Sequence, residues 1–192
     1  MVRRLWMFGI ASLLVSVCLP AQAVLDPDLP RQADPMVLGI VLDHTESDQN
    51  AFGIRLAPED PDSTHPRMAL CNHGKHEQLI IEFYERDTAS VISELRVERV
   101  QTPHADCIVP PQHIERFMSG KGIHLGMSRK EVINILGKGY EEHAYPEEQI
   151  ISYRIDDKDS PMLQRHNAPG YYGQYYFKAN RLVRFEMGFD FP

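Results

Sequence analysis

His73-Gly74-Lys75-His76-Glu77, with Cys71 just before it, brings together a thiolate, two imidazoles and a carboxylate, the side chains that zinc proteins use. Zinc chemistry needs those ligands converged on one ion, and this run has neither the H-E-x-x-H order nor helical spacing; Gly74 interrupts it, and a fourth ligand is missing. A polar loop beside Cys71 is therefore expected, with a metal-carrying protein using Cys71, His73 and His76 as the rival. Ser119-Gly120-Lys121-Gly122 has the look of a phosphate loop. It lacks the leading glycine at the required distance and the Ser/Thr after the lysine that would hold magnesium, so it reads as a turn. The acidic runs Glu59-Asp60, Asp62 and Asp156-Asp157, Asp159 offer oxygen ligands without EF-hand spacing, and the prolines among them point to solvated loops. There is no G-x-S-x-G elbow and no S-x-x-K, so covalent catalysis has no nucleophile. The expectation is no catalytic residue, no metal and no cofactor. A pair of carboxylates brought together only by folding, as in a hydrolase, is the alternative that no sequence spacing tests.

Cysteine usage depends on compartment. Arg3 and Arg4, the apolar run Leu5 to Val17, Pro20 and Ala21-Gln22-Ala23 have the layout of a secretory signal peptide, residues 1–23, which predicts a mature chain starting at Val24 and a periplasmic or secreted location. The apolar run is 13 residues, shorter than the roughly 20 of a membrane-spanning helix, so no stable span is expected after cleavage. Val17 before Cys18 is too bulky for a lipoprotein signal, so no acyl anchor is expected. Cleavage removes Cys18 and leaves Cys71 and Cys107, an even pair that an oxidising compartment would bridge. The 20 Lys plus Arg and 27 Asp plus Glu become 18 and 27 after cleavage, a charge of −9. With no basic cluster, a nucleic-acid partner is excluded.

The elements that must position any site follow from pattern and punctuation. Residues 24–36, with three prolines and three aspartates, predict an extended leader outside the core. Pro58 to Pro66, Thr102 to Pro111 and Asp156 to Gly170 read as loops. Ser128 and Glu131 form an S-x-x-E capping box before Val132, Ile133, Ile135 and Leu136, with Gly137 as the stop, which predicts a short helix over 128–136. Tyr171 to Phe177 and Leu182 to Phe189 flank Lys178-Ala179-Asn180-Arg181 as an antiparallel hairpin, and Gln149 to Ile155 offers a further strand. The first half runs in the same order: Gly39 to Leu42, a weaker helix from Thr45 to Phe52 stopped at Gly53, then strands Leu79 to Tyr84 and Val91 to Val100. Gly39-Ile40-Val41-Leu42 corresponds to Gly122-Ile123-His124-Leu125, and Thr45/Asp48 to Ser128/Glu131, at offsets of 83 to 84 residues. The fold expected is α+β, short helices packed on antiparallel sheet, as a tandem repeat of 37–101 and 112–192.

The run Gly122-Ile123-His124-Leu125-Gly126-Met127-Ser128-Arg129-Lys130-Glu131-Val132, closed by Leu136-Gly137 and followed by Tyr175-Tyr176-Phe177-Lys178-Ala179-Asn180-Arg181-Leu182, is similar to the BamE/SmpA-like envelope proteins. Doubled, the arrangement resembles β-lactamase-inhibitory protein. The likeness covers 122–189 well and 39–100 faintly, and rests on packing and turn residues that carry no chemistry. It implies a protein-binding role in the periplasm.

In the hairpin, Tyr171, Tyr175 and Phe177 point to one face and Tyr172 and Tyr176 to the other. A helix covers one face only. The other is expected to present Tyr172, Gln174 and Tyr176 with, across the hairpin, either Arg184 and Glu186 or Phe185 and Met187; the polar pair is taken as the binding set. Large rings with polar tips suit protein interfaces. The expectation is a non-catalytic module, an envelope assembly factor or an inhibitor, whose partner is another envelope or periplasmic protein.

Overall fold

The computed structural model describes residues 28–43, 50–60, 63–86, 89–103 and 106–190. The expected signal peptide 1–23, with Cys18 and the expected cleavage site, and residues 44–49 of the expected first helix lie outside them.

Two small hairpins open the chain, β1 (Met36–Val37) with β2 (Ile40–Val41), and β3 (Asn50–Ala51) with β4 (Ile54–Arg55). They are followed by a meander of β5 (Arg67–Cys71), β6 (Glu77–Arg86) and β7 (Ala89–Arg99). After a long irregular stretch come α1 (Arg129–Leu136), β8 (Glu141–Ala144), β9 (Gln149–Ile155), α2 (Pro161–His166), β10 (Gly170–Lys178) and β11 (Arg181–Asp190). The seven longer strands form one antiparallel sheet in the order β5-β6-β7-β11-β10-β9-β8. The halves join where β7 pairs with β11, Leu95 opposite Met187 and Val97 opposite Phe185.

This architecture corrects the expected fold. Among the described residues the fold is mostly β, 43% strand against 10% helix, with one seven-stranded antiparallel sheet rather than an α+β tandem of helix-on-sheet units. Both described helices belong to the second half. Where the weaker first helix was expected to end, Asn50–Ala51 is a strand and Phe52-Gly53 a hairpin turn. At positions 50–53 the turn pair Phe52-Gly53, both at positive φ, closes a hairpin in place of a helix end.

Alternation explains which strand face is buried. Leu79 and Ile81 on β6, Leu95 and Val97 on β7, Phe185 and Met187 on β11, Tyr171 and Tyr175 on β10, and Ile151 and Tyr153 on β9 all point into one core. Its opposite wall is built largely from irregular chain: Val37, Ile40, Leu42, Leu56, Phe117, Ile123 and Leu125, joined by Val132 and Leu136 of α1 and Met162 and Leu163 of α2. The α1 capping box forms as the sequence predicts, with Ser128 Oγ accepting from the Glu131 N–H and Glu131 Oε2 accepting from the Ser128 N–H, and Gly137 ends the helix at φ 86°.

The leader expectation is also corrected in its described part. Ala33 and Asp34 are fully buried, and the Asp34 N–H donates to Tyr171 Oη at 3.0 Å. The Lys121 N–H reaches the Asp34 carboxylate at 3.1 Å, and Lys121 Nζ donates to the carbonyls of Pro30 and Arg31. Ser119 to Gly122 is thus the turn that clamps residues 30–34 onto the core. Burial pushes the Asp34 carboxyl from 3.8 up to about 6, against the lowering effect of these donors.

The sheet has two differently protected edges. Beside β5, the Cys71 N–H donates to Ile108 O and the Ile108 N–H to Ala69 O, while the Cys71–Cys107 disulfide, Cα–Cα 5.7 Å, staples that segment in place. The β8 edge is four exposed residues, Glu141-Glu142-His143-Ala144, short and charged as edges that resist strand addition are.

Candidate functional site

The second face of the sheet carries the candidate site. The pairing registers lay out three rows across it: Arg67, Glu82, Glu94, Gly188, Tyr172, Arg154; Ala69, Ile80, Arg96, Glu186, Gln174, Ser152; and Cys71, Gln78, Glu98, Arg184, Tyr176, Ile150. The expected binding set Tyr172, Gln174, Tyr176, Arg184 and Glu186 therefore shares one face at the centre of the sheet, and Phe185 and Met187 go to the core. Both helices bury their apolar residues in the core on the opposite side.

The side chains of this face are held by one another. Tyr172 Oη donates to Glu94 Oε2, spanning β11 above Gly188. Glycine is required there, because a Cβ at 188 would lie 2.5 Å from Tyr172 Oη and 2.9 Å from Ser93 O. Tyr176 Oη donates to Glu186 Oε1 at 2.6 Å and lies 2.5 Å from Gln174 Oε1, and the Arg184 guanidinium sits 3.6 Å over the Tyr176 ring. Arg96 pairs with Glu82 at 3.3 Å, and Gln78 Nε2 donates to Glu98 at 2.8 Å. Tyr176 is only 6% exposed, so its ring works as a strut beneath Arg184 rather than as free contact area. What the face offers outward is a lattice of guanidinium, carboxylate and amide groups.

Its electrostatics follow from this crowding. Burial raises the Glu94 carboxyl, and neighbouring Glu82 and Glu186 raise it further, while the Tyr172 hydroxyl and Arg96 oppose the rise. Burial and the bond to Glu186 push the Tyr176 hydroxyl up to about 12, and Tyr172 is raised further still by burial and Glu94. Both phenols stay protonated, and so remain hydrogen-bond donors, at any physiological pH.

The other sequence candidates form no site of their own. Cys71 is bound to Cys107, and His73 Nδ1 accepts from the Ile114 N–H while its ring packs on His113 at 4.5 Å. Among the described residues no group of three or more His, Cys, Asp or Glu is placed to hold a metal ion. No helix of the described residues is long and apolar enough to cross a membrane. The sequence reading missed Glu82, Glu94, Arg96 and Glu98; the alternation of Glu94, Arg96 and Glu98 with Leu95 and Val97 is the signal that places them on the open face. No family model, no curated protein and no solved structure matches the chain.

Proposed function

We propose that the chain is a periplasmic or secreted, non-catalytic protein-binding module, an envelope assembly factor or an inhibitor, that holds another envelope protein on the open face of its sheet. The observation that carries this reading is the lattice around Tyr172, Gln174, Tyr176, Arg184 and Glu186, whose side chains are already fixed by hydrogen bonds and stacking. Fixed side chains lose little conformational freedom on association, which removes one of the costs of binding. The three rows bring Glu82, Glu94, Glu98 and Glu186 together with Arg67, Arg96, Arg154 and Arg184, a surface of both signs that favours a partner with a complementary pattern of charges. The export signal and the resemblance of 122–189 to BamE/SmpA-like proteins support the compartment and the role.

The test is affinity capture from envelope extract with the mature chain and with Glu98→Lys/Glu186→Arg. The parent retains a discrete partner and the variant loses it with unchanged circular dichroism. Equal retention by both removes the open face from the reading.

A second reading, the hydrolase, draws on Glu94, a carboxyl raised by burial beside Glu82 and Glu186. Each of these groups is engaged by a partner of its own, Tyr172, Arg96 and Tyr176, so none is left to act on a substrate without breaking that bond. Glu94→Gln separates the two: loss of a hydrolytic activity toward periplasmic substrates, with partner capture intact, favours the enzyme.

A further inference from the structure

The charges at the middle of the open face form a pattern that fits itself. β7 presents Glu94, Arg96 and Glu98 there, and β11 presents Gly188, Glu186 and Arg184 opposite them. In two successive rows a charge stands beside its opposite, Arg96 by Glu186 and Glu98 by Arg184, and all four side chains are partly exposed. β7 and β11 also have two strands on either outer side, β6 and β5 on one, β10 and β9 on the other, with β8 beyond.

A second copy laid face to face on the first is related to it by a two-fold axis in the plane between them, along the strands or across them. An axis along the strands, between β7 and β11, sets each β7 residue against the β11 residue of its own row in the other copy. Glu98 then faces Arg184 and Arg96 faces Glu186, each contact made twice, and Tyr172 on β10 comes over Glu82 on β6, hydroxyl to carboxylate. The like pair is Arg154 against Arg67 at the rim, where Asp190 already compensates Arg154 at 2.6 Å. An axis across the strands through the middle row would set Glu94 against Glu98, Arg96 against Arg96 and Glu186 against Glu186, all repulsive. The signs therefore select one two-fold out of the two, and it aligns the strands of the stacked sheets as face-to-face packing requires.

We infer that, when no other partner is bound, the open face is covered by a second copy of this chain, in a dimer whose two-fold axis runs along the strands between β7 and β11. The inference rests on the reading of this face as an interface and names the occupant that its own charge pattern fits. Six strands about 4.8 Å apart and three rows about 6.8 Å apart give a footprint of roughly 29 by 20 Å on each copy. Both copies together then bury about 1,200 Å², the lower end of specific interfaces, so the dimer is weak enough for an envelope protein to displace.

Sedimentation equilibrium of the purified mature chain tests it. The parent is expected to show a concentration-dependent dimer that weakens at high salt. Glu98→Arg and Arg184→Glu, each alone, put like charges across the axis and are expected to weaken dimerisation at least tenfold. Mixed, the two variants are expected to form a heterodimer, because each introduced charge then meets its opposite on the other chain. Ion pairing within single chains predicts no such recovery. A photo-crosslinking amino acid at Gln174 of the otherwise unaltered chain leaves the charges in place and decides the matter if a charge variant fails to fold: its adduct is expected on β6 of the second copy, at or beside Ile80. A parent that stays monomeric, folded single variants that dimerise as the parent does, a folded mixture that stays monomeric, or an adduct elsewhere on the chain overturns the inference. A monomeric parent that still retains an envelope protein, lost in Glu98→Lys/Glu186→Arg, overturns the dimer and leaves the face an interface. A dimer with the expected charge dependence, beside equal envelope capture by parent and that variant, supports the dimer and removes the envelope partner from the face.

Discussion

Asp34 gives a quantitative prediction that depends only on the fold. It is fully buried, its carboxylate accepts from the Lys121 N–H at 3.1 Å, and burial lifts its folded-state pKa from 3.8 to about 6. A carboxyl raised on folding favours the folded state when protonated, so its contribution is complete below about pH 4 and is lost as pH climbs through about 6. The interval from 3.8 to about 6, at about 1.4 kcal/mol per unit, amounts to about 3 kcal/mol. The perturbation is Asp34→Asn, a neutral side chain of the same shape that keeps an acceptor for Lys121. Urea unfolding at pH 3 and at pH 7.5 gives the free energies. The parent is expected to lose about 3 kcal/mol more than the variant between the two pH values, so that the variant is relatively more stable at the higher pH. Equal changes in both proteins would refute the reasoning, since they would mean that the Asp34 carboxyl titrates alike in the folded and unfolded chains.

Three further outcomes follow from the packing. Replacing Cys71 and Cys107 by serine frees a loop of sequence separation 36 and is expected to cost about 4 kcal/mol on the chain-entropy account, read by urea unfolding under non-reducing conditions. The same variant uncovers the β5 edge, and light scattering should detect association that the parent lacks. Ser128→Ala removes the reciprocal cap of α1 and is expected to lower stability by about 1 kcal/mol, checked by thermal unfolding. Gly188→Ala places a Cβ 2.7 Å from Tyr172 Cζ and 2.9 Å from Ser93 O; the ring must leave Glu94, with a stability loss of roughly 1–3 kcal/mol and a changed near-ultraviolet circular dichroism of tyrosine.

Local chemistry in this chain was legible wherever a short-range rule decided the outcome. The Ser128–Glu131 box and Gly137 set α1, Ala179-Asn180 at φ 46° and 59° closes the β10–β11 hairpin, and the parity of Tyr171, Tyr175 and Phe177 against Tyr172 and Tyr176 is the parity of the sheet. The five-residue set on the open face came from the same alternation. What stayed hidden depends on contacts distant in sequence. The Asp34 clamp joins residues 87 apart, and the leader could not be read as core from its own prolines and aspartates. The pairing of β7 with β11, which merges two meanders into one sheet and brings Glu94 to Tyr172, leaves no mark on either strand alone. The tandem inferred from Gly39 to Leu42 and Gly122 to Leu125 gives way to one continuous sheet, because similar turns recur while the strand pairing that joins the halves is not written in either motif.

The most direct test of the account is a photo-crosslinking amino acid placed at Gln174, in the middle row of the open face, compared with the same group at Gln164, exposed on α2. Irradiation of cells exporting each variant should yield one discrete protein adduct from position 174 in the periplasmic fraction and none from position 164. Adducts of equal yield from both positions, or none from position 174, would contradict the claim that this sheet face holds a partner.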